Sequence, residues 1–284
     1  MTWYLDIVSP GWKGVVYGDY TAVMPLPVKF KVGLPLTLQP FLCQQLGIFS
    51  SEKLSDNLIK EFYLKLNRHY PTTYNVNLFN TPQLPPGLRL DKLPNTELTL
   101  NKNHAELRDE FSKNTRRNIT KAKKEGLITE ELLPEENVFS FIFKNLRFSF
   151  SAKEQDLFRQ VVLKSFSRNE GVLLACKNDN RELLSVGFFI IHKRRITFLG
   201  SSSSKDGYIK QAAFLIFDTV IEKYSAKDFV LDFEGSKNEG IARFYKGFGG
   251  AVTQYGQISN RSFDIYKSGL EVAQKIITLF SHQP

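Results

Sequence analysis

Between Lys113 and Lys124 the chain sets six cations, Lys113, Arg116, Arg117, Lys121, Lys123 and Lys124, with no carboxylate among them. Basic side chains at that density attract anions: a phosphate-bearing cofactor, a nucleotide-linked precursor, tRNA or a membrane surface. The 284 residues hold 38 Lys and Arg against 29 Asp and Glu, so this one stretch matches six of the nine charges in excess. The other reading is a solvated helix face, with Lys123 and Lys124 complementing the negative end of the helix dipole. Both remain open at this level.

Other chemistries lack their residues. His69, His104, His192 and His282 stand alone, with no HExxH or other paired ligand spacing, so no metal site is expected. Cys43 and Cys176 sit far apart in apolar runs and read as two small buried thiols rather than a disulfide, zinc or redox pair. No GxSxG elbow and no GxxxxGK[ST] loop occurs, which disfavours an α/β-type serine hydrolase and a P-loop nucleotide enzyme. Aromatics do not interleave with the basic run as base-stacking platforms would, so a general nucleic-acid binder is disfavoured too. The start, MTWYLDIVSPGWKG, lacks a basic and then apolar secretory pattern, and no run approaches the roughly 20 apolar residues of a spanning helix. The default expectation is a cytoplasmic protein.

The elements that must position any site fall into two sets, in line with a length beyond one small domain and 42% hydrophobic residues. Turn signals at Ser9-Pro10-Gly11, Gly18-Asp19 and Val32-Gly33 bound predicted strands at 3–7, 14–17, 21–31 and 34–39. Leu54, Leu58, Phe62 and Leu66 recur every four residues and predict a helix over 53–69, stopped by Tyr70-Pro71. Extended runs at 72–79, 88–91 and 96–100 follow, the first separated from the others by a Pro-rich turn at Pro82, Pro85 and Pro86. Residues 104–126 read as one helix with Gly126 as its C-terminal stop.

The second half is clearer: strand 127–133, helices 135–147 and 152–168, strands 172–177, 183–192 and 195–200, a loop over 201–207 and a helix over 208–224. Ser151 with Glu154 gives the second of these helices a capping box. Strand 229–233, a short helix over 239–247 and strands at 251–258 and 262–267 complete it. The expectation is an α/β (α+β) protein with a module at 1–103, a basic linker helix at 104–126 and a second module at 127–284.

That order, βααβββαβαββ, is the order of the GNAT acyltransferase superfamily. The segment Asn238-Glu239-Gly240-Ile241-Ala242-Arg243-Phe244-Tyr245-Lys246-Gly247-Phe248-Gly249 resembles the GNAT stretch in which an Asn precedes by seven residues a Tyr on a short helix. The runs PFLCQQLGIFS (40–50), FSKNTRRNITKAKKEG (111–126) and LDFEGSKNEGIARFYKGFGG (231–250) together resemble the Fem-type branch, the peptidoglycan aminoacyltransferases and their relatives. The resemblance implies two tandem GNAT-like modules, each with a central mixed sheet, and transfer of an acyl or aminoacyl group to a small-molecule or cell-wall-precursor amine. It implies acyl-CoA or aminoacyl-tRNA as the donor, without a metal.

On that footing Tyr245 is the candidate general acid for the departing thiolate, since a phenol can protonate sulfur without carrying charge. Simple packing against the sheet is its alternative role. Glu234, after strand 229–233, is the first candidate for the base that takes the amine proton, with Asp232 second. Backbone at a bulge expected near Leu199 and Gly200 would hold the oxyanion. Ser201, Ser203, Lys205, Gly207 and Asn238 complete the cofactor candidates, and Gln44, Arg116, Arg117 and Lys121 the substrate candidates. Two departures stand out. The glycine-rich pyrophosphate loop of GNAT enzymes is replaced by Ser201-Ser202-Ser203-Ser204-Lys205-Asp206-Gly207, and several Fem-type enzymes carry Phe-Lys where this chain has Phe244-Tyr245. A competing class is a catalytically silent protein of the same fold that binds an anion or a partner through its basic helix.

Overall fold

In the computed structural model, which describes residues 1–31, 33–66, 71–79, 83–235 and 238–269, the chain divides into two units. One is Met1–Leu93 with the stretch from Gln254 onward, and the other is Pro94–Thr253. The basic segment expected to link two modules lies inside the second unit.

The first unit opens with α1 (Thr2–Val8), where a strand was expected. Trp3, Tyr4, Leu5 and Val8 are buried there, and such burial outweighs the β preference of aromatic and β-branched residues. β1 (Lys13–Tyr17), β2 (Ala22–Leu26) and the short β5 (Phe49–Ser50) form a three-stranded sheet, and β3 (Val28–Lys31) pairs with β4 (Leu34–Thr37). The run expected as one strand over 21–31 is broken at Pro27. Helix α2 (Asp56–Leu64) starts at Ser55, whose hydroxyl accepts the Leu58 amide, and it buries Ile59, Phe62 and Tyr63. The remainder of the predicted helix, at 67–69, and its stop at Tyr70 lie outside the described residues, as do Val32, His69, Pro82 and His282.

β6 (Thr73–Val76) pairs antiparallel with the later part of β13 (Ala251–Asn260). The strand expected at 262–267 is helix instead, because Asn260 accepts the Phe263 amide at 2.8 Å and so caps a helical turn. β7 (Leu88–Thr99) is one continuous strand rather than two.

In the second unit most described elements follow the predicted order with shifted ends, but the helix expected over 208–224 is broken at Gln211, φ +64°, into Lys205–Ile209 and Ala212–Tyr224. The elements are α3 (His104–Glu110), α4 (Lys113–Lys124), β8 (Ile128–Leu132), α5 (Glu136–Lys144), α6 (Ala152–Ser167), β9 (Gly171–Lys177) and β10 (Leu183–His192). β11 (Arg195–Ser203), α7 (Lys205–Ile209), α8 (Ala212–Tyr224), β12 (Val230–Asp232) and α9 (Glu239–Gly247) follow. The strand order is β7-β12-β11-β10-β9-β8, antiparallel throughout except for the parallel pair β11/β12. α8 buries Leu215, Ile216, Phe217, Val220 and Ile221, and Ile119 and Ala122 of α4 join the same core.

The single helix expected over 104–126 is two. Phe111 leaves the helical path to pack edge-on against Phe248 at 5.2 Å, the Ser112 amide donates to the Gly247 carbonyl, and the Ser112 hydroxyl restarts the helix by accepting the Thr115 amide at 3.1 Å. Gly126 follows α4 at φ +70°, the left-handed stop that glycine adopts without penalty.

α3 and α4 are both tied to α8 through Asp218, which is only 1% exposed. His104 Nε2 and Lys123 Nζ each lie 3.0 Å from its carboxylate and Arg108 Nε lies 3.8 Å away. Thus Lys123, one of the six cations of the basic run, is a structural counter-ion. Asp218→Ala leaves Lys123, Arg108 and the His104 ring without their shared carboxylate. With two of them partly solvated, the expected loss is about 2–3 kcal/mol, below the value for a wholly buried pair, read as a lower denaturant midpoint at unchanged slope.

Candidate active site

Parallel pairing of β11 and β12 lasts only three residues, Arg195↔Val230, Ile196↔Leu231 and Thr197↔Asp232. β11 then runs on to Ser203, whereas β12 ends and the Phe233 amide donates to the Thr96 carbonyl on the far side. The two strands therefore part, and on that edge the 198–203 segment has no strand partner among the described residues. On its other edge β11 carries a bulge, since Phe188 pairs with Gly200 but Phe189 with Phe198. Leu199 is the extra residue, at the place anticipated for the bulge.

A cavity of about 520 Å³ opens against this stretch, and Tyr245 of α9 lines it together with Leu199, Gly200 and Ser201. The Tyr245 ring stacks on Phe233 at 5.0 Å and meets Phe198 edge-on at 6.2 Å, so it packs in the core and faces the cavity at once. Burial, with the Glu234 carboxyl as a further cause, holds its hydroxyl well above the ordinary tyrosine range, and the phenol stays protonated at any working pH. Among the described residues that hydroxyl has no hydrogen-bond partner.

After burial, Glu234 is the further cause that raises Tyr245, so the two first-choice catalytic candidates are electrostatic neighbours. Burial and the nearby Asp232 push the Glu234 carboxyl from 4.5 up to about 8, against the opposing pull of Arg195. Its backbone sits at φ +56°, a region costing a non-glycine residue roughly 1 kcal/mol or more. The Glu234 amide donates to Asp232 Oδ1 at 2.9 Å and holds that turn.

Asp232, the second-choice base, is fully engaged. Its Oδ1 also accepts from Asn95 at 3.1 Å, and its Oδ2 accepts from Arg195 Nε and Nη2 at 3.0 and 2.7 Å. Arg195 reaches Glu97 as well. Asn95, Glu97 and Arg195 were not singled out in the sequence. They come from β7 and the first residue of β11, and no local pattern marks a contact across 98 or 137 residues. Arg195→Gln deprives buried Asp232 of its cation and Glu234 of the charge that restrains its rise. We expect a stability loss of about 2 kcal/mol and a displacement of any Glu234-dependent activity limb to higher pH, measured by denaturation and by a pH–rate profile.

The serine stretch is not the loop expected at 201–207. Ser201–Ser203 are strand, the Ser202 hydroxyl donates to the Ile142 carbonyl at 2.9 Å, and the Ser203 hydroxyl lies 2.8 Å from that of Ser185. Ser204 accepts the Gly207 amide at 3.1 Å, capping the short α7, and a side chain at Gly207 would collide with the Leu184 carbonyl. Lys205 is exposed. Asn238 caps α9, accepting the Gly240 and Ile241 amides. Lys121 donates to the Ile209 carbonyl at 2.8 Å and Arg116 to the Asp109 carbonyl at 3.0 Å. Arg117 bonds Asn114. Among the described residues Lys113, Arg116, Arg117 and Lys124 pair with no carboxylate. Gln44 lies in the first unit, where its carbonyl accepts from Gln39 and Asn75.

Cys176 is buried and its thiol is pushed up to about 12, an inert group. Among the described residues no cluster of His, Cys, Asp and Glu could hold a metal, and no helix is long and apolar enough to cross a membrane.

No family model matches the sequence, and no curated protein sequence matches it. Solved structures do. The chain superposes on the crystal structure of FemX with a TM-score of 0.65 at 13% identity, over 94% of this chain and 93% of that one. It matches the C-terminal domain of a protein named as a lysylphosphatidylglycerol synthetase from Agrobacterium fabrum at 0.55 and 12%, over 95% and 90%. It matches L-PGS from Bacillus licheniformis at 0.54 and 12%, over 91% and 86%. The likeness is one of fold.

Proposed function

We propose that this protein transfers an acyl group to an amine, with the reacting carbonyl at the Leu199–Gly200 bulge and with Glu234 and Tyr245 as its catalytic pair. The observation that carries the reading is Tyr245 lining an apolar cavity where two strands part, with the Glu234 carboxyl, pushed up to about 8 by burial and Asp232, as its electrostatic neighbour.

The neutral amine attacks the thioester carbonyl, and its proton passes to the Glu234 carboxylate as the nitrogen–carbon bond forms. Backbone at the bulge stabilises the oxyanion. The carbon–sulfur bond then breaks, and the Tyr245 hydroxyl donates to the leaving sulfur. Asp232 takes no proton, because Arg195, Asn95 and the Glu234 amide occupy both its oxygens. Its part is to hold the Glu234 turn and to raise the Glu234 carboxyl.

The donor is an acyl thioester of the CoA type, or an aminoacyl ester of tRNA. The five cations of α4 without carboxylate partners among the described residues suit the phosphates of either donor, and the inward-turned serine hydroxyls stand where a pyrophosphate loop would present amides. Lysylphosphatidylglycerol synthetase, a fold relative, is named for joining a lysyl group to its acceptor.

The test incubates the full chain with acetyl-CoA, decanoyl-CoA or alanyl-tRNA, and with hydroxylamine, a small and weakly basic acceptor. Acyl hydroxamate above the uncatalysed rate from any donor is the expected result. Tight, salt-sensitive binding with no product from any of the three would instead favour the silent binding protein.

A further inference from the structure

The cavity continues well beyond the carbonyl position. Besides Tyr245 and the bulge, its lining includes Phe198 and Phe188 of the sheet, Phe158 of α6, and Leu146, Phe148 and Phe150 of the α5–α6 connection. These rings contact one another in series, Phe158 with Phe188 at 5.7 Å and Phe150 with Phe158 at 6.2 Å, so the far end is a continuous hydrocarbon surface. Its polar lining is small. Ser202 and Ser203 direct their hydroxyls to Ile142 and Ser185, and Arg147, exposed and without a carboxylate partner among the described residues, is the one charged lining residue.

An acetyl or alanyl group would leave most of this wall in contact with water. Apolar surface gains free energy in proportion to the apolar area it covers, and a pocket of this size and composition is typical for a ligand of many heavy atoms. A small polar aminoacyl group would have to give up its hydration for few hydrogen-bond partners.

We propose that the far end of this cavity holds the hydrocarbon tail of the transferred group, a medium-chain acyl chain of roughly eight to twelve carbons. The proposal rests on the acyl-transfer reading for which end of the ligand carries the carbonyl. Leu146, Phe148 and Phe150 are then specificity-determining residues.

Binding tests it directly. Calorimetry on the full chain compares S-decanoyl-pantetheine with S-acetyl-pantetheine, neither of which carries a nucleotide, so no phosphate contact enters. We expect the decanoyl thioester to bind at least ~10-fold more tightly, since each buried methylene adds to affinity. Leu146→Trp, which fills the channel, should bring the ratio to about 3 or below. Phe148→Glu serves as the second variant, because Phe148 is 70% exposed and can be replaced without opening the core. It should lower decanoyl affinity at least ~5-fold.

Equal affinities, no measurable binding of the decanoyl thioester, or a preference that neither variant changes would each overturn the proposal. Transfer from acetyl-CoA with equal affinities would overturn it while the acyl-transfer reading stood. A tenfold decanoyl preference without transfer to hydroxylamine from any donor would keep the chain site and overturn the enzyme.

Discussion

Replacing Glu234 with Gln should lower kcat for acyl transfer by about 10²–10⁴, the usual worth of a positioned base, and should also make the protein more stable at pH 8. The kinetic half follows from the base's role. Wild-type activity with hydroxylamine rises as the Glu234 carboxyl ionises around pH 8, and the variant shows a low, flat profile over that range.

The stability half follows from linkage. The folded carboxyl stays neutral up to about pH 8, whereas the unfolded chain ionises from about 4.5. The unfolded state therefore gains relative to the folded one as pH rises through that window, and stability present below pH 4.5 is lost by pH 8. Each tenfold change in proton affinity corresponds to about 1.4 kcal/mol, so the whole rise of the carboxyl would approach ~5 kcal/mol; with Glu234 partly exposed, about 2–3 kcal/mol is a fair expectation. Thermal melts of both proteins at pH 4 and pH 8 check this. The variant should match wild type at pH 4 and exceed it at pH 8. Equal melting at both values would mean that the carboxyl is solvated and titrates normally.

Tyr245→Phe should lower kcat by roughly 10²–10³ through loss of one transition-state hydrogen bond, while KM for the donor stays within about twofold. The split matters because the ring is a core residue, stacked on Phe233 and in contact with Phe198 and Phe217. Phenylalanine keeps those contacts and removes only an oxygen with no partner among the described residues. A purely packing role for Tyr245 predicts unchanged kcat and unchanged or slightly higher stability, since burying that unpaired hydroxyl is unfavourable. A donor with a better leaving thiol should partly rescue the variant if Tyr245 acts on the departing sulfur.

The two variants also separate the proposed steps. A base acts on the attacking amine, so Glu234→Gln should respond to acceptor basicity, and Tyr245→Phe to the leaving group. Arg195 joins the pair indirectly. Its two bonds to Asp232 fix the acid that both orients the Glu234 turn and raises its carboxyl.

Most elements of the second unit were legible because their signals are local. The i, i+3 capping box at Ser151 and Glu154 and the glycine after α4 each act within one helical turn, and each stands where its residues predicted. The apolar runs of β9 and β10 are buried as such runs must be. The Tyr245 motif and the bulge near Leu199 were expected from the resemblance, and the bulge stands at the expected place.

Where local signals were ambiguous, long-range packing decided. Thr2–Val8 has the composition of a strand and coils because four of its side chains bury together, while a helix interrupted at Phe111 gains a ring contact with Phe248, 137 positions on. The serines at 201–204 look available for phosphate in one dimension, and in three their hydroxyls mostly satisfy neighbours inside the unit.

The sequence by itself determined most element types of the second unit and the excess of positive charge, because each depends on side-chain identity and on spacing along a few residues, and its resemblance to a known motif singled out Tyr245 and Glu234 as candidates. Only the tertiary structure decided that Asp232 is spent on Arg195 and Asn95, that Lys123 serves Asp218, and that Glu234 titrates near 8. Desolvation and ion pairing arise from groups brought together across more than a hundred residues, and no period or motif in the chain encodes their distance.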